Sequence, residues 1–329
     1  MKIVMYSYND WGGANNLLAD YINKHTKHQA RSITEEKHPF CYDTDLVWKN
    51  IKFDNTENET DTIETAVDVA NIIEDADFFV LGQLYDTPLL KAIQRRLKPN
   101  NHIIFYGGSD VRPHADKLFN SYRQKEHRYT FTRDDFTMIR CLSRSNHHNV
   151  YMVDTNRFKP IEKNIPHVGP VKIFHSPTNQ AIKGTIHIKE AVENLSKKYD
   201  IYWEHTGTTP SGAGGITWAE GMAKKASADI YIDQLYIGAI GANVAETMTF
   251  GIPVLCYLSN HFMSMYPDTP IVNVNPDTIE ATLEDLIVDH EKRRIIGNQT
   301  RNYCVDLYGV HNSAWRWIHM IEFVAGDKS

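Results

Sequence analysis

Ala228-Asp229-Ile230-Tyr231-Ile232-Asp233-Gln234-Leu235-Tyr236-Ile237-Gly238-Ala239-Ile240-Gly241-Ala242-Asn243-Val244-Ala245-Glu246-Thr247-Met248-Thr249-Phe250-Gly251-Ile252-Pro253-Val254 holds a strand, a loop, a helix and the next strand in 27 residues. Ile230, Tyr231 and Ile232 form an apolar run, and a loop punctuated by Gly238 and Gly241 follows. A helix opens near Gly241 and stops at Gly251, a natural C′ residue, with Pro253 barring its continuation. A short buried strand feeding a glycine turn and a helix is the unit of a parallel α/β sheet.

The same alternation runs in both directions from this unit. Upstream, strands are expected at 171–174 and 201–204, with helices at 185–196 and 218–226. Downstream come a strand at 254–257, helices at 277–288 and 291–307, and a last amphipathic helix at 314–325 with Ser313 as its N-cap. The first half repeats the pattern, with strands at 2–6, 78–81, 103–106, 129–132 and 150–153 and helices at 14–24, 62–73 and 87–97. Between the halves, Pro160, Pro166, Gly169 and Pro170 read as a linker. The expected organisation is a first doubly wound domain at 1–156, a linker at 157–170 and a second at 171–311, with 312–329 a C-terminal helix crossing back to the first.

The chain has 329 residues, which accommodates two domains of about 150. Apolar residues at 42% and charged residues at 23% exclude a disordered, collagen-like or coiled-coil protein. The net charge of −6 excludes a wholly basic nucleic-acid binder. Cys41, Cys141, Cys256 and Cys304 form no Cys-x-x-Cys pair, so neither a zinc knuckle nor a redox motif is present. Their scatter fits a reducing cytosol. The opening apolar run is too short for a signal peptide, and no run is long enough to span a bilayer, so a cytoplasmic protein without stable membrane insertion is expected.

Ligands of doubly wound sheets bind outside the carboxyl ends of the strands. Three loops there carry chemistry. Asn9-Asp10-Trp11-Gly12-Gly13-Ala14-Asn15 follows the first strand; Gly12 and Gly13 let a ligand approach backbone, or simply make a tight turn. The full Gly-x-Gly-x-x-Gly fingerprint is missing, which argues against a dinucleotide dehydrogenase. His175-Ser176-Pro177-Thr178-Asn179-Gln180-Ala181-Ile182-Lys183-Gly184 brings a lysine to a helix start, where the helix dipole disfavours a cation. An anion such as a diphosphate would explain Lys183; a surface lysine reaching water is the commoner case. The third loop leads to Glu246, which alone reads as dipole complementarity.

Taken together, these residues resemble retaining GT-B glycosyltransferases. Ala228-Asp229, Gly241, Glu246-Thr247-Met248, Gly251 and Pro253-Val254 fall in register with that family's donor-binding motif without a gap. Val153-Asp154-Thr155-Asn156-Arg157-Phe158-Lys159-Pro160 is similar to its Val-Asp-x-x-x-Phe-x-Pro hinge, and Lys183-Gly184 to its phosphate-binding Lys-Gly. The resemblance covers the second half well and the first loosely. It implies an α/β GT-B fold of two Rossmann-like domains facing across a cleft, a nucleotide-sugar donor (UDP-sugar favoured) as co-substrate, and no other cofactor. By position, Lys183 would pair with the diphosphate, with catalytic effect. The N–H groups of Gly241, Ala242 and Asn243 would cap it, and Glu246 would bond the ribose hydroxyls. Two positions depart from the pattern. Gly238 stands where the family has a glutamate on the donor sugar, and Thr178 where it has an arginine. His175, Thr178 or Asn179 would compensate by hydrogen bonding. No metal is expected, because no His/Asp/Glu cluster with ligand spacing lies on a donor loop.

On the acceptor side, Tyr106-Gly107-Gly108-Ser109-Asp110-Val111-Arg112 follows a strand, with Asp110 a candidate to orient the acceptor hydroxyl and Arg112 to bind it. Asp110 reads equally as an N-cap or loop residue. Residues 1–90 carry 7 Lys/Arg and 16 Asp/Glu, whereas residues 91–150 carry 12 and 5, a net of +7. That basic segment, with Arg123, Lys125 and Arg128, suits a polyanion. The compact chain also resembles bacteriophage enzymes that glycosylate hydroxymethylated or hydroxylated pyrimidines in double-stranded DNA, which makes DNA the leading acceptor. A saccharide or lipid-linked glycan is the alternative within the fold, and a non-catalytic nucleotide-sugar or carbohydrate-binding protein the alternative of another class.

Overall fold

The computed structural model describes residues 1–10, 12–48, 59–83, 85–106, 130–132, 146–147, 151–161, 169–207 and 215–326. The chain divides into two compact units. Met1–Val150 and Ser313–Ser329 form the first, and Tyr151–Asn312 the second.

The first unit is built on a parallel sheet of order β3-β2-β1-β4-β5-β6-β7. β1 (Lys2–Ser7), β4 (Phe78–Gly82), β5 (His102–Tyr106) and β6 (Thr130–Thr132) lie where the apolar runs predict them. β1 is buried from Ile3 to Ser7, as a central strand covered on both faces must be. Three strands escape sequence reading: β2 (Gln29–Thr34), β3 (Leu46–Val47) and β7 (Asn146–His147). The expected strand at 150–153 is not formed at 151–153, where Val153 makes a lone bridge to Gly309. Helices α1 (Ala14–His25), α2 (Glu59–Glu74) and α3 (Pro88–Gln94) connect the strands. Val4, Tyr6, Ile33, Phe79, Leu81 and Ile104 form the core of one sheet face.

The second unit carries a parallel sheet of order β12-β11-β10-β8-β9. Its strands are β8 (Val171–His175), β9 (Ile201–His205), β10 (Ile230–Ile232), β11 (Val254–Cys256) and β12 (Val272–Asn273). Both faces are buried. Ile230 and Ile232 pack with Ile173, Ile188 and Leu283, while Tyr231 between them packs with Phe174, Val244 and Val254 on the other side. The helices are α4 (Gln180–Lys183), α5 (Thr185–Leu195), α6 (Trp218–Ser227), α7 (Ala242–Met248), α8 (Asn260–Met265), α9 (Ile279–Val288) and α10 (His290–Leu307).

The last helix, α11, spans Val310–Gly326. Ser313 is not its N-cap: the helix begins three residues earlier, directly after Gly309, and buries Ser313 completely. In the first unit, His28 Nε2 lies 3.0 Å from Glu322 Oε1 and the Trp317 ring packs edge-on against Phe105.

Strand order locates the sites. In the second sheet β8 is flanked by β9 on one side and β10 on the other, so the chain reverses its winding at β8/β10 and the loops after these strands flank a crevice. In the first sheet the reversal lies at β1/β4.

Candidate donor site at the second switch point

His175 ends β8 and is fully buried. Its Nδ1 lies 2.8 Å from the carbonyl of Ile232 and its Nε2 2.8 Å from Thr185 Oγ1. A carbonyl only accepts, so Nδ1 donates and Nε2 accepts from the threonine hydroxyl. Burial pulls the imidazole pKa down to about 4. Both nitrogens thus serve the protein, tying β8 to β10 and α5, instead of reaching a diphosphate as anticipated. Asn179 caps α4, its side chain accepting from Ile182 N at 3.1 Å. Thr178 is exposed on the same loop.

Lys183 is the last residue of the single turn α4, and Gly184, at φ 70°, separates it from α5. Its side chain is buried, and Nζ donates to both carboxylate oxygens of Asp233 at 2.9 Å. A buried ammonium requires such a partner. The anion that Lys183 called for is therefore supplied by the chain itself, at the end of β10. An ammonium carries three N–H donors, so one remains beyond the two given to Asp233.

After Asp233 the loop is folded by Gln234, whose Oε1 accepts from the N–H groups of Tyr236 and Ile237 at 2.7 and 2.6 Å. Gly238 follows at φ 78°, and a Cβ there would lie 3.1 Å from Ser259 Cβ. The backbone at this position thus disfavours the glutamate that the resembled family carries. Gly241 then opens α7 in an extended conformation without a side-chain cap. The N–H groups of Gly241, Ala242 and Asn243 stand at this uncapped start, where a helix favours an anion.

Glu246, on the second turn of α7, is buried. Its Oε1 accepts from Trp218 Nε1 at 2.9 Å, and its Oε2 is ion-paired with Lys225 Nζ. Lys225 also donates to Asn243 Oδ1 at 2.8 Å, and Asn243 Nδ2 donates to the Ser176 carbonyl at 3.2 Å. This network joins α6, the start of α7 and the loop after β8. Asp233, Trp218 and Lys225 were not foreseen; the one available signal was an acidic residue directly after a buried three-residue strand.

The first unit treats its glycine turn differently. Gly12 and Gly13 adopt φ 84° and 62°, which non-glycine residues rarely do. The Asp10 carboxylate accepts from Asn15 N at 3.1 Å and Asn16 N at 3.0 Å. Two N–H groups of the α1 N-terminus are thus served by the chain's own carboxylate. At the β1/β4 switch point Glu35 is buried and accepts from Tyr6 OH at 2.9 Å and from Thr87 Oγ1. Gln83, held at φ 48°, accepts from Asn9 N at 3.0 Å. Asp110, Arg112, Arg123, Lys125 and Arg128 lie outside the described residues. Among the described residues no group of three or more His, Cys, Asp or Glu is placed to hold a metal, and no helix is long and apolar enough to cross a membrane.

Comparison with protein-family models and with curated proteins returned no match. Solved structures do match along almost the whole chain. A glycosyltransferase from Rickettsia africae ESF-5 superposes with TM-score 0.65 at 12% identity, covering 99% of each chain. A trehalose-6-phosphate synthase, described as transferring glycosyl groups with retention, gives TM-score 0.62 at 11% identity over 98% of this chain and 99% of its own. An Anabaena protein solved with UDP and glucose gives 0.60 at 11% identity over 98% and 100%. At such identities the likeness speaks for architecture alone: the chain has the α/β GT-B fold of these glycosyltransferases.

Proposed function

We propose that the protein is a glycosyltransferase that moves a hexosyl or pentosyl group from a nucleotide sugar, preferentially a UDP-sugar, to an acceptor hydroxyl with retention. The observation that carries the reading is what the loops after β8 and β10 carry: the buried Lys183–Asp233 pair and, in a separate network, Glu246 and the uncapped start of α7, linked through Lys225 and Asn243. The third N–H of Lys183 and the α7 backbone donors would hold the diphosphate, and the remaining lone pairs of Glu246 the ribose hydroxyls. The bond between the anomeric carbon and the diphosphate oxygen breaks, the acceptor oxygen takes the carbon, and the acceptor's hydroxyl proton passes to the departing diphosphate oxygen. Fixed donors already aimed at the leaving diphosphate stabilise its growing charge without reorganisation. The UDP named with one structural neighbour and the retention named with another support the choice of donor and outcome.

DNA is the acceptor favoured by the +7 net charge of residues 91–150, with Asp110 and Arg112 the candidate acceptor contacts in that segment. Free Cys41, Cys256 and Cys304 support action in the cytoplasm. The test is turnover. UDP-, GDP- and ADP-sugars are incubated with glucosylatable hydroxymethylated duplex DNA and, separately, with saccharide and lipid-linked acceptors, and released nucleoside diphosphate is measured. Release with the duplex supports the whole reading, and release only with glycans moves the acceptor. Tight nucleotide-sugar binding with no release under any condition would make the protein a binding module.

A further inference from the structure

Neither carboxylate oxygen of Glu246 is left without a protein partner: Trp218 donates to one and Lys225 pairs with the other. Lys225 is 2% exposed, and no part of the sequence pattern that suggested a donor site includes it. It sits in the last turn of α6, whose first turn is anchored by a reciprocal cap between Thr217 and Glu220. The same ammonium reaches Asn243 Oδ1 in the first turn of α7, and Asn243 in turn holds the Ser176 carbonyl. One buried cation therefore fixes both the carboxylate assigned to the ribose and the helix start assigned to the diphosphate.

Two consequences follow from elementary chemistry. Each carboxylate oxygen has two acceptor sites, so Trp218 and Lys225 consume one on each and leave one on each. One acceptor site on each oxygen is therefore left for the two hydroxyls of a cis-diol. The ammonium also offsets the Glu246 charge, which would otherwise repel an incoming diphosphate in a water-poor site. We infer that Lys225 is a positioning residue for the nucleotide, selecting for a ribose by orienting Glu246. The inference rests on the nucleotide-sugar reading of this site.

The experiment is calorimetric titration of UDP, GDP and ADP, each beside its 2′,3′-dideoxy form, into the full-length protein and into Lys225→Met. Wild type is expected to bind its preferred nucleotide about tenfold or more tightly than the dideoxy form, the worth of hydrogen bonds to a charged acceptor. Lys225→Met is expected to bring the two affinities within about twofold, because the unheld carboxylate no longer presents both sites. If Lys225→Met does not fold, Lys225→Gln is read the same way. A Lys225 variant that weakens ribo and dideoxy forms by the same factor, preserving their ratio, shows a merely structural lysine and overturns the inference. Equal affinities in wild type overturn it as well, while leaving the nucleotide site standing. Absence of any nucleoside diphosphate binding by wild type removes the site and the inference together.

Discussion

The Lys183 ammonium stands 2.9 Å from each carboxylate oxygen of Asp233, fifty residues away, in a position shielded from solvent. The pair reconciles two demands on Lys183. On the proposed function it offers an N–H to a diphosphate, and it must be tolerated in the folded chain before any ligand arrives. Breaking a buried pair from one side typically costs about 3–5 kcal/mol, whereas replacing both members by apolar groups is often neutral. Lys183→Met is therefore expected to lower unfolding free energy by about 3 kcal/mol in urea titrations. The double variant Lys183→Met/Asp233→Leu should recover most of that loss.

Gly238 tests why the glutamate of the resembled pattern is missing. Its φ of 78° and the 3.1 Å approach of Ser259 make any side chain costly. Gly238→Ala is expected to destabilise by about 1–2 kcal/mol, and Gly238→Glu by at least as much, in chemical denaturation. A Gly238→Ala protein as stable as wild type would show that the loop relaxes freely.

His175 gives a pH signature. Burial lowers its folded pKa to about 4, below the ordinary unfolded value near 6.5. The unfolded chain therefore binds more protons between these values, and stability contributed by neutral His175 is lost as pH falls from about 6.5 to 4. The slope from this residue is about 1.4 kcal/mol per pH unit within that window. His38 in the first unit, also lowered to about 4 by burial, acts in the same direction. Urea titrations at pH 7, 6 and 5 should show the decline, and His175→Gln should flatten it in part.

For the acceptor, the proposal makes a salt-dependent prediction. If DNA is bound, neutralising Arg123, Lys125 and Arg128 together should weaken duplex binding and reduce the salt slope by up to about 0.9 per lost phosphate contact. Nucleotide affinity should be unchanged. A salt titration of duplex binding for wild type and the triple variant decides it, and identical slopes would leave the segment without a role.

Much of the fold was legible because a parallel sheet writes itself as apolar runs. Residues 3–6 of β1, residues 78–81 of β4 and all of β10 are uninterrupted Ile, Val, Phe, Leu, Met and Tyr, and β8 carries Val171, Ile173 and Phe174. β2 was not, since Gln29, Arg31, Ser32 and Thr34 mask a strand that exists because six of its residues pair with β1. β3 and β12 are two residues each, set by their neighbours and not by propensity. At the site, Lys183 and Glu246 were singled out by the resemblance of their motifs to the family's donor-binding pattern. Their partners were not: Asp233, Lys225 and Trp218 lie 50, 21 and 28 residues from the groups they hold. Such pairings leave no periodic trace. Buried partners also changed the meaning of residues singled out in the sequence, since the apparent need of Lys183 for an anion is met by Asp233.

The central claim is that the β8/β10 switch point binds a nucleoside diphosphate through Lys183, and calorimetric titration of UDP, GDP and ADP tests it most directly. The titrations are run on wild type and on Lys183→Met/Asp233→Leu, whose fold is checked by its urea transition. The account predicts measurable binding of at least one nucleotide, UDP foremost, by wild type and a loss of about tenfold or more in the double variant. Binding of no nucleotide by wild type, or undiminished binding by a folded double variant, would contradict it.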